Sequence, residues 1–189
     1  MKAMLLVFTL ICLAGPANAA AAGPADAFFD RLKSLCGQSF TGHVAAGDAV
    51  DDSFRQAEMV MTVARCDERE IRIPFWVGED RSRTWVITRL DNGRLRLKHD
   101  HRHPDGVEDA LSQYGGETAE PGTAGLQRFP VDAESRTLFT RLDRAVSNTN
   151  VWSLGVTAEQ FTYELARPGR LFRVAFDLTK PRASVPSAP

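Results

Sequence analysis

Residues 83–103 read Arg-Thr-Trp-Val-Ile-Thr-Arg-Leu-Asp-Asn-Gly-Arg-Leu-Arg-Leu-Lys-His-Asp-His-Arg-His. Asn92-Gly93 divides two runs of alternating side chains, and both residues tolerate the positive φ that a type I′ hairpin turn requires. A two-residue loop pairs Leu90 with Leu95, Thr88 with Leu97, Val86 with His99 and Thr84 with His101. That face has four aliphatic residues and no formal charge, so it is read as the inner one. The other face sets Arg89, Ile87, Trp85 and Arg83 against Arg96, Lys98, Asp100 and Arg102, which places Trp85 outside. A three-residue loop slides the partners by one but leaves the histidines on the leucine face of their own strand. Thr84, Val86, Thr88 and His99 are therefore the expected ligand-contacting wall, with His101 and His103 toward an open end.

The same period of two recurs along most of the chain. Candidate strands lie near 40–46, 57–66, 69–77, 83–91, 94–103, 125–130, 150–156, 160–167 and 170–178. Pro168-Gly169 registers a second hairpin, pairing Leu165 with Phe172, Tyr163 with Val174 and Phe161 with Phe176. Glu164 then meets Arg173 on the opposite face as a charge pair. Pro74 cannot donate to a ladder and marks an edge or a bulge. Before the strands, Phe28, Phe29, Leu32, Leu35 and Cys36 repeat at helical spacing over 25–36, and Gly37 supplies the stop. The two long interruptions are 104–124 and 133–148, the second with a helical pattern. Sequential strands joined by short turns predict a mainly β protein. The expected form is an antiparallel up-and-down, lipocalin-like barrel with a short N-terminal helix. A two-sheet sandwich or a jelly roll has the same strand count.

Lys2, an apolar run over 4–14 and Ala17-Asn18-Ala19 form a secretory leader, with cleavage after Ala19. The apolar run is too short to span a bilayer, and no second one follows. The reading is a leader at 1–19, one barrel domain at 20–180 and a flexible tail at 181–189, in a periplasmic or secreted protein. Losing Lys2 takes the net charge from −1 to −2, which argues against nucleic acid as a partner. Cys36 and Cys66 remain, an even pair that in an oxidising compartment reads as a disulfide. Cys66 shares its face with Glu58 and Thr62, so the bond is expected outside the barrel.

Three of the four histidines stand at a spacing of two, about 6.8 Å apart along one strand face. Two such imidazoles can share a divalent transition metal; His99 and His103, about 13 Å apart, need a bend to do so. The best metal set is His101 and His103 with Glu108 as the carboxylate. The competing reading is a satisfied polar rim. The acidic 104–124 segment is a lid over the barrel mouth, a calcium loop without EF-hand spacing, or a solvated surface loop. No nucleophile elbow, phosphate-binding loop or His-Glu-x-x-His motif occurs.

Residues 80–103, Phe28-Phe29-Asp30-Arg31-Leu32 with Leu35-Cys36-Gly37, and Asn148-Thr149-Asn150-Val151-Trp152 resemble a group of small exported proteobacterial proteins. That resemblance covers nearly the whole mature chain and implies export and a compact domain, with no activity attached. His101-x-His103, Glu108 and Gly115 resemble the first cupin motif, which implies His101, His103 and Glu108 as metal ligands. The Pro-x-Gly turn and the second motif's later histidine are missing. The expected function is a binding barrel for a small ligand or metal ion at the His99–His103 end. The alternatives are a metal-dependent, cupin-like enzyme using His101, His103 and Glu108, and an envelope interaction protein without a small-molecule site.

Overall fold

The computed structural model describes residues 23–182. The leader at 1–19 and all but the first two residues of the 181–189 tail lie outside that range. Eleven strands form one antiparallel sheet: β1 (Ser39–Ala46), β2 (Met59–Thr62), β3 (Arg65–Cys66), β4 (Glu70–Val77), β5 (Asp80–Arg89), β6 (Leu95–His101), β7 (Tyr114–Glu117), β8 (Leu126–Pro130), β9 (Val151–Val156), β10 (Gln160–Arg167) and β11 (Arg170–Asp177). The helices are α1 (Pro24–Lys33), α2 (Asp52–Gln56) and α3 (Ala133–Arg141).

Ten strands follow one path, and every neighbour along it is next in sequence apart from the β1–β11 pair that joins the two ends and the short β3, which pairs β4. This is a meander rolled into a nearly closed up-and-down barrel; a jelly roll's Greek keys would leave crossovers. The seam lies between β7 and β8. It is bridged by Gly116 against Val131 and by Asp132 N–H donating to Gly115 C=O at 3.0 Å. A β-carbon at Gly115 would stand 1.9 Å from Leu97 O, and one at Gly116 1.8 Å from Pro130 O. Only glycine lets these three backbones approach so closely. Ser135, in the first turn of α3, takes Gly115 N–H on its hydroxyl at 2.8 Å and donates back to Gly115 C=O.

The β5–β6 loop has three residues. Leu90 N–H donates to Arg94 C=O at 2.9 Å, and Gly93 alone takes positive φ, at +75°. The pairs are therefore Arg89 with Leu95, Ile87 with Leu97, Trp85 with His99 and Arg83 with His101. This corrects the tighter turn: Trp85 is inside, 2 % exposed, while Thr84, Val86 and Thr88 share the outer face with Asp100, Lys98 and Arg96. The Pro168-Gly169 hairpin has the expected register, including the Glu164–Arg173 ion pair.

Cys36 and Cys66 are bonded, with Cα atoms 6.2 Å apart. From Met61 to Cys66 the chain advances five residues while β4 advances four, from Phe75 to Ile71. That extra residue turns Cys66 toward the side of buried Ile71 rather than outside. Pro74 lies opposite this break, where no donor is needed.

α1 covers one end of the barrel. Pro24 begins it, Asp26 lies in its first turn and Arg31 and Lys33 in its last, all matching the helix dipole. Phe28, Phe29 and Leu32 are fully buried, each contributing roughly 1.5–3 kcal/mol. Inward-facing Arg89 is neutralised there by Asp26 and Asp30, at 3.1 and 2.6 Å, and lies 4.3 Å above the Phe29 ring.

Candidate functional site

Toward the end opposite α1, the inner wall changes from aliphatic to aromatic and polar. Phe75, Arg83, Trp85, His99, His101, Tyr114, Tyr163 and Phe172 come from six strands, and Asp51 and Phe54 from the segment after β1. They enclose a cavity of about 230 Å³, room for roughly eight waters at ~30 Å³ each. Trp85 is its floor, stacked between Phe75 and Tyr163 with centroids 4.7 and 4.5 Å away. Beneath it Phe161 and Phe176 pack on the indole at 6.1 and 6.3 Å. The barrel is filled by side chains below this level, so the cavity is a shallow cup rather than a deep calyx.

His99 is 3 % exposed. Its Nδ1 lies 3.1 Å from Tyr114 C=O, an acceptor only, so Nδ1 carries the proton and donates. Nε2 is then the acceptor for the Tyr163 hydroxyl at 2.9 Å. Tyr114 stacks on the imidazole at 4.5 Å. Burial drives the His99 pKa down to about 3 and pushes the Tyr163 phenol well above its ordinary value. Both groups are neutral at ordinary pH and fully engaged. His99 offers the cavity a ring rather than a free ligand atom.

His101 stands above His99 on the same face. Its Nε2 is 3.1 Å from the Tyr114 hydroxyl, and its backbone N–H donates to Ser112 Oγ at 2.9 Å. Burial first, then the charge of Arg83, holds its pKa below the usual imidazole value, against the pull of Asp109, Asp80 and Asp100. Tyr114 is pushed up to about 12, chiefly by burial. Arg83, cross-strand from His101, reaches over the Phe54 ring at 5.7 Å.

Residues 47–56 arch over the mouth as a strap. Arg55 donates to the carbonyls of Gly47 and Asp48 at 2.6 and 2.8 Å. Buried Asp51 takes a bidentate grip from Arg170 at 2.7 and 2.5 Å, and Asp48 adds a third contact at 3.3 Å. Phe54 is thereby set 5.0 Å from Phe172, forming the lip of the cup.

Of the residues expected to contact a ligand, His99 lines the cavity and Thr84, Val86 and Thr88 do not, because the register places them outside. The proposed metal set is dispersed. His101 faces Tyr114. His103 lies beyond the end of β6, its Nε2 3.6 Å from Asp109 Oδ2. Glu108 takes a hydrogen bond from Gln113 at 2.8 Å and faces Arg102 at 3.5 Å. Among the described residues, no three His, Cys, Asp or Glu side chains are grouped to hold a metal ion. His101, His103 and Asp109 do share a polar outer groove of about 480 Å³ with Asp80 and Ser82.

Asp51, Phe54, Arg83, Tyr114, Arg170 and Phe172 were not legible as site residues. Arg83 and Trp85 follow once the loop is given three residues. Tyr114 hides in the Gly-rich 104–124 segment, where a four-residue strand carries little periodicity. Phe54 and Asp51 sit on one short turn of helix whose only signal is Asp48 with Asp51, a reciprocal capping pair.

No helix among the described residues is long and apolar enough to cross a membrane. Comparison with known protein families, with characterised proteins and with solved structures gave no match.

Proposed function

We propose that this is an exported binding protein that holds one compact small molecule in the cup at the mouth of its barrel. The observation that carries the reading is convergence: six strands and the strap deliver aromatic walls and a few oriented polar groups to one cavity. Ligand sites are commonly built this way, and barrel mouths commonly host them. At about 230 Å³ the cup is smaller than drug-sized pockets, which run roughly 300–1,000 Å³. It suits a ligand of one or two rings and excludes a long acyl chain, for which the filled interior leaves no room. The leader-like N-terminus and the disulfide support export.

The test is thermal denaturation with a panel of small ring compounds, for the wild type and for Leu165→Trp; Leu165 lines the cup from β10, and the indole fills it. A ligand at about 100 times its Kd stabilises by ~2.7 kcal/mol, or roughly 5–10 °C at this chain length. The shift should vanish in the variant. Equal shifts in both proteins would remove the cup from the account.

The filled interior also supports a second reading, an envelope interaction protein that uses the barrel as a scaffold. Absence of any stabilising compound, together with capture of one defined partner in stoichiometric amount, would favour it.

A further inference from the structure

Most polar atoms around the cup are already engaged. Arg170 donates to Asp51, Asp48 and the Leu171 carbonyl. Both His99 nitrogens are occupied, one of them by the Tyr163 hydroxyl. Arg83 differs. Its Nη1 donates to Asp80 Oδ2 at 2.5 Å, and Asp80 lines the outer groove rather than the cup. Its Nε and Nη2 have no acceptor among the described residues. These two atoms form one edge of the guanidinium, the edge that grips the two oxygens of a carboxylate.

The field of Arg83 is felt throughout the cup. It is the leading charge on His101, and it acts on Tyr114 and Tyr163 as well. Among the described residues, Asp51 is the only carboxylate in the cup wall, and Arg170 neutralises it. Asp80 engages only Nη1 of Arg83, from outside the cup, so the Nε–Nη2 edge still offers two charge-assisted hydrogen bonds to one anionic group. A dianion would leave its second charge unpaired, with Asp51 and Asp80 nearby, and a cation would meet Arg83. Apart from Leu165, the remaining wall is built of rings, among them Phe54, Phe75, Trp85, Tyr114 and Phe172. Flat rings stack well on such faces at centroid separations of about 4.5–7 Å.

We infer that the ligand of the cup is a planar aromatic monocarboxylate, its carboxylate held by the Nε–Nη2 edge of Arg83 and its ring packed among Phe54, Phe172 and Trp85. The inference rests on the cup being a ligand site, as proposed above. Arg83 is here a recognition residue, and Asp80 orients it from outside.

Calorimetric titration of the intact mature protein with benzoate and naphthoate, against benzamide and naphthamide, decides the matter. A charge-assisted bidentate contact should make each acid about 10- to 100-fold tighter than its amide. In Arg83→Gln the acids should fall to about the level of the amides, which lose far less than the acids do. Arg83→Lys, which keeps the charge but loses the fork, should fall between. Amides that bind as tightly as acids and are lost in Leu165→Trp would overturn the acid class and leave the cup standing. An acid preference retained in Arg83→Gln would overturn the role of Arg83. Failure of the wild type to bind acids or amides would overturn both this inference and the reading beneath it.

Discussion

His99 and Tyr163 meet across the barrel from β6 and β10, with imidazole Nε2 2.9 Å from the phenol oxygen. The contact ties opposite walls at the depth where packing gives way to the cup. It is directional, because the Tyr114 carbonyl fixes the proton on Nδ1 and leaves Nε2 as acceptor. The pair is buried and neutral, so its value lies in satisfying groups that water does not reach.

Tyr163→Phe removes that donor without altering the ring stack on Trp85. It leaves His99 Nε2 unpartnered, at an expected cost of about 1–3 kcal/mol. Urea unfolding of the variant should show a lower midpoint with unchanged m. An unchanged midpoint would mean that the relay contributes nothing to stability.

Stability should fall in mild acid before the carboxylates titrate. The His99 pKa is about 3 in the fold and about 6.5 in the unfolded chain, so its contribution is complete above about pH 6.5. It is lost as pH falls toward 3, because only the unfolded state takes up the proton; His101, also lowered, adds in the same direction. The expected slope is up to about 1.4 kcal/mol per pH unit for each group. Denaturant midpoints between about pH 7 and 5 measure it, and His99→Gln should flatten the profile. A wild-type profile as flat as the variant's would contradict the buried neutral histidine.

Replacing both Cys36 and Cys66 with serine opens a loop with a sequence separation of 30. On the chain-entropy account this costs about 3–4 kcal/mol. Because the bond joins the turn after α1 to β3, loosening should appear first at the α1 end. Hydrogen exchange should rise in 24–36 ahead of the mouth strands; uniform loosening would argue against that order.

Arg170→Leu cuts the strap's main tether and leaves Asp51 without its partner. A buried carboxylate stripped of its counter-ion is strongly destabilising, so the strap should lift rather than stay closed. Amide exchange across 47–56 should rise about tenfold or more while β5 and β6 stay protected. Protection retained in the strap would mean that Arg55 alone holds it.

Much of the barrel was legible in the sequence where turn chemistry and side-chain period agreed, as at Pro168-Gly169, whose register held pair by pair. Asn92-Gly93 shows the limit. The dipeptide fits two- and three-residue loops alike, and one residue of slip exchanged Val86 for Trp85 on the inner face. Face assignment then leaned on formal charge. Arg83 and Arg89 lie on the inner face with Asp80 and the α1 carboxylates as ion-pair partners, which no local pattern reveals. Cys66 changed face through a one-residue break that only the pairing with β4 exposes. The tenth barrel strand, β7, is too short and too Gly-rich to announce itself, and with it Tyr114 was lost from view. The histidine strand was legible as the approach to a site, but its chemistry depends on phenols brought from β7 and β10.

Chemical-shift mapping tests the central claim most directly. Isotope-labelled protein would be titrated with small planar compounds, neutral and anionic, following backbone amides, the Trp85 indole and the Arg83 Nε–H. The account predicts saturable shifts clustered on Phe54, Arg83, Trp85, His101 and Phe172, absent in Leu165→Trp. Shifts confined to the outer groove at His103 and Asp109, or no saturable shift from any compound, would contradict a ligand-binding cup at the barrel mouth.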